Sequence, residues 1–167
     1  MVLTGKVFKF GDNIDTDVII PARYLVTTDP AALAEHCMED VSATFAKEVR
    51  KGDIIVGGSN FGCGSSREQA VLAIMGCGVK VVLAESFARI FYRNCINRGL
   101  YALEVSKATL DRIFQGDAIS VDLEKGEIIK EGSSEFFNFK PISDEMKRIV
   151  AAGGIIPYTR QRIAKEV

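Results

Sequence analysis

Three apolar runs separated by two helix-length segments constrain this chain more than any other feature. Ile54-Ile55-Val56, Val79 to Leu83 and Leu100 to Val105 are nearly continuous in apolar residues. Runs of that kind suit strands buried on both faces. The first gap holds a glycine-rich loop and a predicted helix from Ser65/Ser66 to about Met75, stopped by Gly76. The second holds a predicted helix from Ser86 to Asn97, stopped by Gly99. A β-α-β-α-β series calls for parallel strands joined by right-handed crossovers.

The flanks read differently. Lys6-Val7-Phe8-Lys9-Phe10 alternates and meets Gly11-Asp12-Asn13, which predicts a strand ending in a turn. Val18-Ile19-Ile20 is a short β-branched run stopped by Pro21, and Ala22 to Asp29 has no period. A helix is predicted from about Pro30, carrying Leu33, His36, Cys37 and Met38, and another from Ala43 to Val49. Beyond Val105 the pattern turns β-rich: Ile119 to Leu123, a turn near Lys125-Gly126, Glu127 to Lys130, and Glu135 to Phe139. A helix from about Asp144 to Ala152 and a polar tail close the chain. The expected fold is α/β, with parallel core strands and a partly closed mixed sheet, in one domain over 1–167.

Composition narrows the function. At 167 residues the chain can bury roughly 70% of its unfolded surface and needs no staples. A net charge of −1 leaves no basic stripe for nucleic acid. No apolar run approaches the ~18 residues of a membrane span, and the first residues lack a signal peptide's apolar core, so a cytoplasmic location is expected. There is one histidine, His36, and the four cysteines, 37, 63, 77 and 95, include no C-x-x-C pair. No metal site made by this chain alone is expected.

The densest chemistry is Gly62-Cys63-Gly64-Ser65-Ser66-Arg67-Glu68. Four glycines stand between positions 57 and 64, letting backbone approach a ligand closely. The loop follows a buried strand and opens a helix, where free N–H groups favour an anion. Arg67 adds a planar fork for carboxylate or phosphate. A plainer account also fits part of it: Ser65-x-x-Glu68 is a capping box, with Ser65 as N-cap. It leaves Ser66, Arg67 and the glycines unexplained. The loop is neither a P-loop nor a G-x-G-x-x-G, since position 67 is Arg. Nor is it a nucleophile elbow.

A second cluster, Asp12-Asn13-Ile14-Asp15-Thr16-Asp17, lacks the terminal glutamate and preceding helix of a calcium loop. It reads either as Asx-turn chemistry or as a carboxylate placed behind Arg67 or beside a catalytic group.

Three motifs taken in order resemble a known family. They are Asp12-x-x-Asp15-Thr16-Asp17-x-Ile19-Ile20-Pro21-Ala22-Arg23-Tyr24-Leu25, then Gly57 to Glu68, then Ser86-Phe87-Ala88-Arg89-Ile90. Together they look like the small subunits of 3-isopropylmalate dehydratase, which correspond to the swivelling C-terminal domain of aconitase. The resemblance runs to Gly153-Gly154-Ile155-Ile156-Pro157-Tyr158. It implies a swivelling β/β/α domain in a two-subunit hydro-lyase of leucine biosynthesis. The large subunit of such an enzyme carries a [4Fe–4S] cluster whose open iron binds the substrate hydroxyl and a carboxylate. The substrate is a small dicarboxylic acid, and none of the cluster is held by the small subunit.

By motif match, Ser65 corresponds to the serine base, and Ser66 and Arg67 to residues that position it and bind carboxylate. Asp17 matches the aspartate near the active site, and Gly64, beside the serine, is expected to be a substrate-binding residue. Tyr24-Leu25-Val26-Thr27 matches the loop that reads the substrate side chain. Arg23 is the nearest basic candidate for a further substrate arginine. Homoaconitases tend to carry arginine where Val26 stands, so valine favours an isopropyl group. Homoaconitase-type hydro-lyases, hydro-lyases of methyl-substituted malates (citramalate, dimethylmalate) and citraconate hydratases share these motifs. A stand-alone anion-binding module is the alternative outside enzymology.

Overall fold

The computed structural model describes residues 1–166. Its chain order is β1 (Val2–Lys9), α1 (Thr16–Ile19), a 3-10 turn (Ala22–Tyr24), α2 (Pro30–Ala34), α3 (Phe45–Glu48), β2 (Ile54–Val56), α4 (Glu68–Gly76), β3 (Val81–Ala84), α5 (Arg89–Arg98), β4 (Tyr101–Glu104), α6 (Lys107–Leu110), β5 (Ala118–Asp122), β6 (Glu127–Lys130), β7 (Phe136–Asn138), α7 (Asp144–Ala151) and α8 (Ile155–Glu166). The strands form one mixed sheet in the order β4-β3-β2-β1-β5-β6-β7. The β1–β4 half is parallel, as the three apolar runs required. The β5–β7 half is antiparallel.

β1 joins the halves by changing partner along its length. Val2 to Lys6 pair with Asp122 to Ala118, and Val7 to Lys9 pair with Ile54 to Val56. At the changeover the Lys6 N–H donates to the buried Asp53 carboxylate at 3.0 Å, so no amide is orphaned. Pleating then divides the core. Phe8, Ile55, Val82 and Ala102 face the layer made by α1 to α5. Val7, Ile54, Val56, Val81, Leu83 and Leu103 face Ile119, Val121, Ile128 and Phe137 of the antiparallel half, with Val150 of α7. The sheet thus curls until its antiparallel part covers the back of its parallel part. That gives the expected β/β/α layering and explains why the parallel strands carry no polar alternation.

Several local expectations are corrected. Val18 and Ile19 are helical despite their β-branched side chains, because Asp15 caps a single helical turn there and accepts the Val18 N–H at 3.3 Å, and only Ile20 is extended. α2 ends at Ala34, so His36, Cys37 and Met38 lie in the turns beyond it. The predicted polar tail is the helix α8, with Pro157 in its first turn. Among the described residues no helix is long and apolar enough to cross a membrane.

Candidate active site

The loops at the C-terminal ends of β1, β2 and β3 converge, the position where parallel sheets usually bind ligands. Backbone bonds lock the first two together. The Gly62 N–H donates to the Ile14 carbonyl at 2.7 Å, and the Thr16 N–H to the Cys63 carbonyl at 2.8 Å. Asp12 accepts the Ser59 N–H at 2.8 Å, and Asn60 donates to the Asn13 side chain at 3.1 Å. The third loop is tied in through Ser86, whose Oγ accepts the Asn60 N–H at 2.9 Å.

This frame sets Ser65. Its carbonyl accepts both the Thr16 hydroxyl at 3.2 Å and the Arg67 N–H at 2.8 Å. Thr16 is buried. The Ser65 backbone is therefore held from two sides. Gly64, Ser65 and Ser66 are exposed, and neither serine hydroxyl has a hydrogen-bond partner among the described residues. Arg67 Nη1 donates to the Asp17 carboxylate across the two loops. The guanidinium is largely covered, whereas Asp17 is half exposed. Asp17 thus aims Arg67 and leaves most of its donor fork free for a second anion.

The capping box does not form. α4 begins at Glu68, with Arg67 in the N-cap position and no side-chain cap. Glu68 turns away to Arg98 of α5, which donates from Nε at 2.6 Å and from Nη2 to the other oxygen. That bidentate partner outcompetes a lone serine amide, and it frees Ser65 from any capping duty. The Arg98 guanidinium holds the Glu68 carboxyl below the usual glutamate range, against the opposing effect of its partial burial. The pair therefore stabilises the fold above the ordinary glutamate pKa, and the contribution is lost as pH falls through the lowered value. Both partners are more than a third exposed. Glu68→Gln is expected to cost only about 0.5 kcal/mol at about pH 7 and progressively less as the pH falls through that lowered value, read from urea midpoints.

The remaining sequence-predicted residues lie on the segment after α1. Arg23 ion-pairs with Glu39 and with Asp40 at 2.9 Å and sits over the Tyr24 ring. Tyr24 stacks on His36, with ring centroids 3.6 Å apart, and His36 Nδ1 lies 2.9 Å from Glu39. His36, expected to be an ordinary helix residue, is instead part of the clasp on this segment. Tyr24 and Leu25 pack against the core, Thr27 accepts the Asp29 N–H at 3.1 Å, and Val26 is 92% exposed. Among the described residues no hydrogen bond or ion pair joins residues 23–27 to Ser65, Ser66 or Arg67. The structure therefore unites Asp17 with Ser65 and Arg67 and leaves Val26 projecting separately.

Thr16 was not singled out from sequence, although its pinning of Ser65 is central. Its neighbours Asp15 and Asp17 drew attention through charge, while a buried hydroxyl leaves no such mark. Among the described residues no three His, Cys, Asp or Glu side chains are grouped to hold a metal. Cys37 and Cys95 are buried. Burial, with Asp15 beside it, pushes the Cys63 thiol up, so that loop cysteine stays protonated. These donors do not fit an iron–sulfur cluster.

Residues 9–108 match the aconitase C-terminal domain family. The chain is 53% identical over 166 residues to the 3-isopropylmalate dehydratase small subunit of Caldicellulosiruptor saccharolyticus, covering 99% of this chain and 95% of that one. This chain belongs to the 3-isopropylmalate dehydratase small-subunit family. A second such small subunit, from Moorella thermoacetica, is 52% identical with both chains covered in full. The crystal structure of 3-isopropylmalate dehydratase from Methanocaldococcus jannaschii superposes with a TM-score of 0.94 at 48% identity, covering 99% of this chain and 98% of that one. The family thus accounts for the β/β/α fold, and its matched stretch spans all three motifs.

Proposed function

We propose that this chain is the small subunit of a cytoplasmic hydro-lyase that interconverts 2-isopropylmalate and 3-isopropylmalate through dehydration and rehydration, a step of leucine biosynthesis. The observation that carries the reading is an exposed, unpartnered Ser65 beside an Arg67 already aimed by Asp17. In this reading residues 1–167 form one swivelling domain that closes over a large subunit. The family's [4Fe–4S] cluster belongs to that large subunit, because the thiols of this chain offer no ligand set.

Ser65 Oγ takes the carbon-bound proton from the substrate and returns it on the other carbon. A serine hydroxyl has no useful basicity at neutral pH, so its alkoxide needs positive neighbours. Arg67 and the free N–H groups at the start of α4 supply them. The open donors of Arg67 bind a substrate carboxylate, Ser66 positions Ser65, and Gly64 keeps the approach unobstructed. Tyr24, Leu25, Val26 and Thr27 receive the substrate side chain, with Arg23 at the edge of that segment. Val26 offers apolar surface to an isopropyl group and no charge to a third carboxylate. That favours isopropylmalate over the homoaconitase-type and methyl-malate alternatives, and no nucleic acid or membrane partner is involved.

The test is to combine the chain with an iron–sulfur large subunit under anoxia and follow the ultraviolet absorbance of the unsaturated diacid across a substrate panel. The complex should act on isopropylmalate, and the chain alone on nothing. Val26→Arg should shift the preference toward a diacid bearing a further carboxylate by about tenfold or more. Catalysis by the isolated chain would overturn the proposal.

A further inference from the structure

A sizeable cleft lies far from Ser65 in the topology. It is about 610 Å³ and is lined by Met1, Leu3, Lys51, Cys77, Lys80 and Tyr101 among others. Lys51 and Lys80 precede β2 and β3, and Tyr101 opens β4. The cleft is thus at the N-terminal ends of the parallel strands, whereas the Ser65 loop follows their C-terminal ends. Nothing in the proposed reaction uses it.

Cys77 is half-buried and faces this cleft. Behind it lies Cys37, fully buried. Gly76 explains why they meet. A Cβ at position 76 would lie 2.0 Å from the Pro30 carbonyl oxygen, so only glycine allows α4 to end directly on α2. The two cysteines then converge on one carbonyl. Ala34 O accepts the Cys37 N–H at 3.2 Å and the Cys77 thiol at 3.7 Å. Lys51 presses on the next residue, its Cα 2.8 Å from where a Gly78 Cβ would stand. No carboxylate lines the cleft, so nothing negative opposes a thiolate there.

We propose that Cys77 is an oxidation site whose resolving partner is Cys37. A peroxide enters the cleft and the Cys77 thiolate attacks it. One O–O bond breaks, Cys77 becomes the sulfenic acid, and hydroxide leaves and takes up a proton. The Cys37 sulfur then attacks the Cys77 sulfur and displaces water, the Cys37 proton departing with the leaving oxygen. In sum two thiols lose two electrons to one peroxide, giving one disulfide and two waters. The neighbouring Cys37 thiol draws the Cys77 pKa down, while the Cys77 sulfur and burial hold the Cys37 thiol up. Access assigns each sulfur its step, since Cys77 faces the cleft and Cys37 is buried behind it.

The test is graded hydrogen peroxide on the folded full-length chain, alone and in complex with its large subunit, followed by alkylation and peptide mapping. The expected first product is the Cys37–Cys77 disulfide, formed about tenfold faster than Cys63 is oxidised and reversed by dithiothreitol. Cys37→Ser should leave a Cys77 sulfenic acid that dimedone captures, and Cys77→Ser should leave Cys37 reduced. Should either variant fail to fold, the wild-type map decides alone. Oxidation of Cys63 with both Cys37 and Cys77 recovered as thiols would overturn the proposal. These readouts are chemical, so they stand apart from the assignment of the reaction.

Discussion

Ser65→Ala should lower kcat/KM of the assembled enzyme by about a thousandfold while leaving its assembly and stability unchanged. A positioned acid–base group contributes roughly 10²- to 10⁴-fold, and a thousandfold loss is about 4 kcal/mol of barrier. Stability should hold because the Ser65 hydroxyl is exposed and has no hydrogen-bond partner among the described residues. What fixes residue 65 is its carbonyl, held by Thr16 and the Arg67 amide, and alanine keeps that carbonyl. The loss should fall mainly on kcat, since Arg67 and Asp17 remain to bind carboxylate. Ser66→Ala, one step removed from the proton, should lose less. Equal losses at both positions, or a Ser65→Ala complex of full activity, would count against Ser65 as the base.

The parallel half of the sheet was legible because burial on both faces writes itself as uninterrupted apolar sequence. Ile54-Ile55-Val56 divides its side chains between two cores, and no polar position breaks the run. The helix starts were less legible, because distant partners decide them. Ser65-x-x-Glu68 is a sound local cap, yet Glu68 prefers Arg98, thirty residues away. Val18-Ile19-Ile20 has strand propensity, but Asp15 closes a helical turn and Ile19 and Ile20 find the core from there. Propensity is a weak prior against a cap and a buried face. α8 left little trace, since Ile155, Ile156 and Ile163 are all exposed and show no buried stripe. At the site, Arg67 and the aspartates could be singled out by charge. Which aspartate meets Arg67 depends on two loops crossing, and spacing along one chain does not encode that.

The crossing itself depends on Gly62, and Gly62→Ala should be the most destabilising single-methyl change in the site, by about 3 kcal/mol. Two costs add. Gly62 has φ +79°, a left-handed conformation that costs an L side chain about 1–2 kcal/mol. A Cβ there would also lie 2.1 Å from Cγ of Phe91, which is 2% exposed. Forcing a methyl into packed surroundings costs about 1–3 kcal/mol. Phe91 has little room to retreat, because it stacks with Phe87 and meets Phe61 edge-on. Relief must come from the loop, and moving the loop strains the Gly62-to-Ile14 bond that joins it to the aspartate turn. The variant should therefore lose stability and substrate affinity together, because Asp17 no longer meets Arg67 in register. Gly11→Ala is the control: its added Cβ meets nothing within 4 Å and its φ is not positive. Urea midpoints should fall clearly for Gly62→Ala and barely move for Gly11→Ala. Equal shifts in the two would mean that the Phe91 contact does not hold the loops in place.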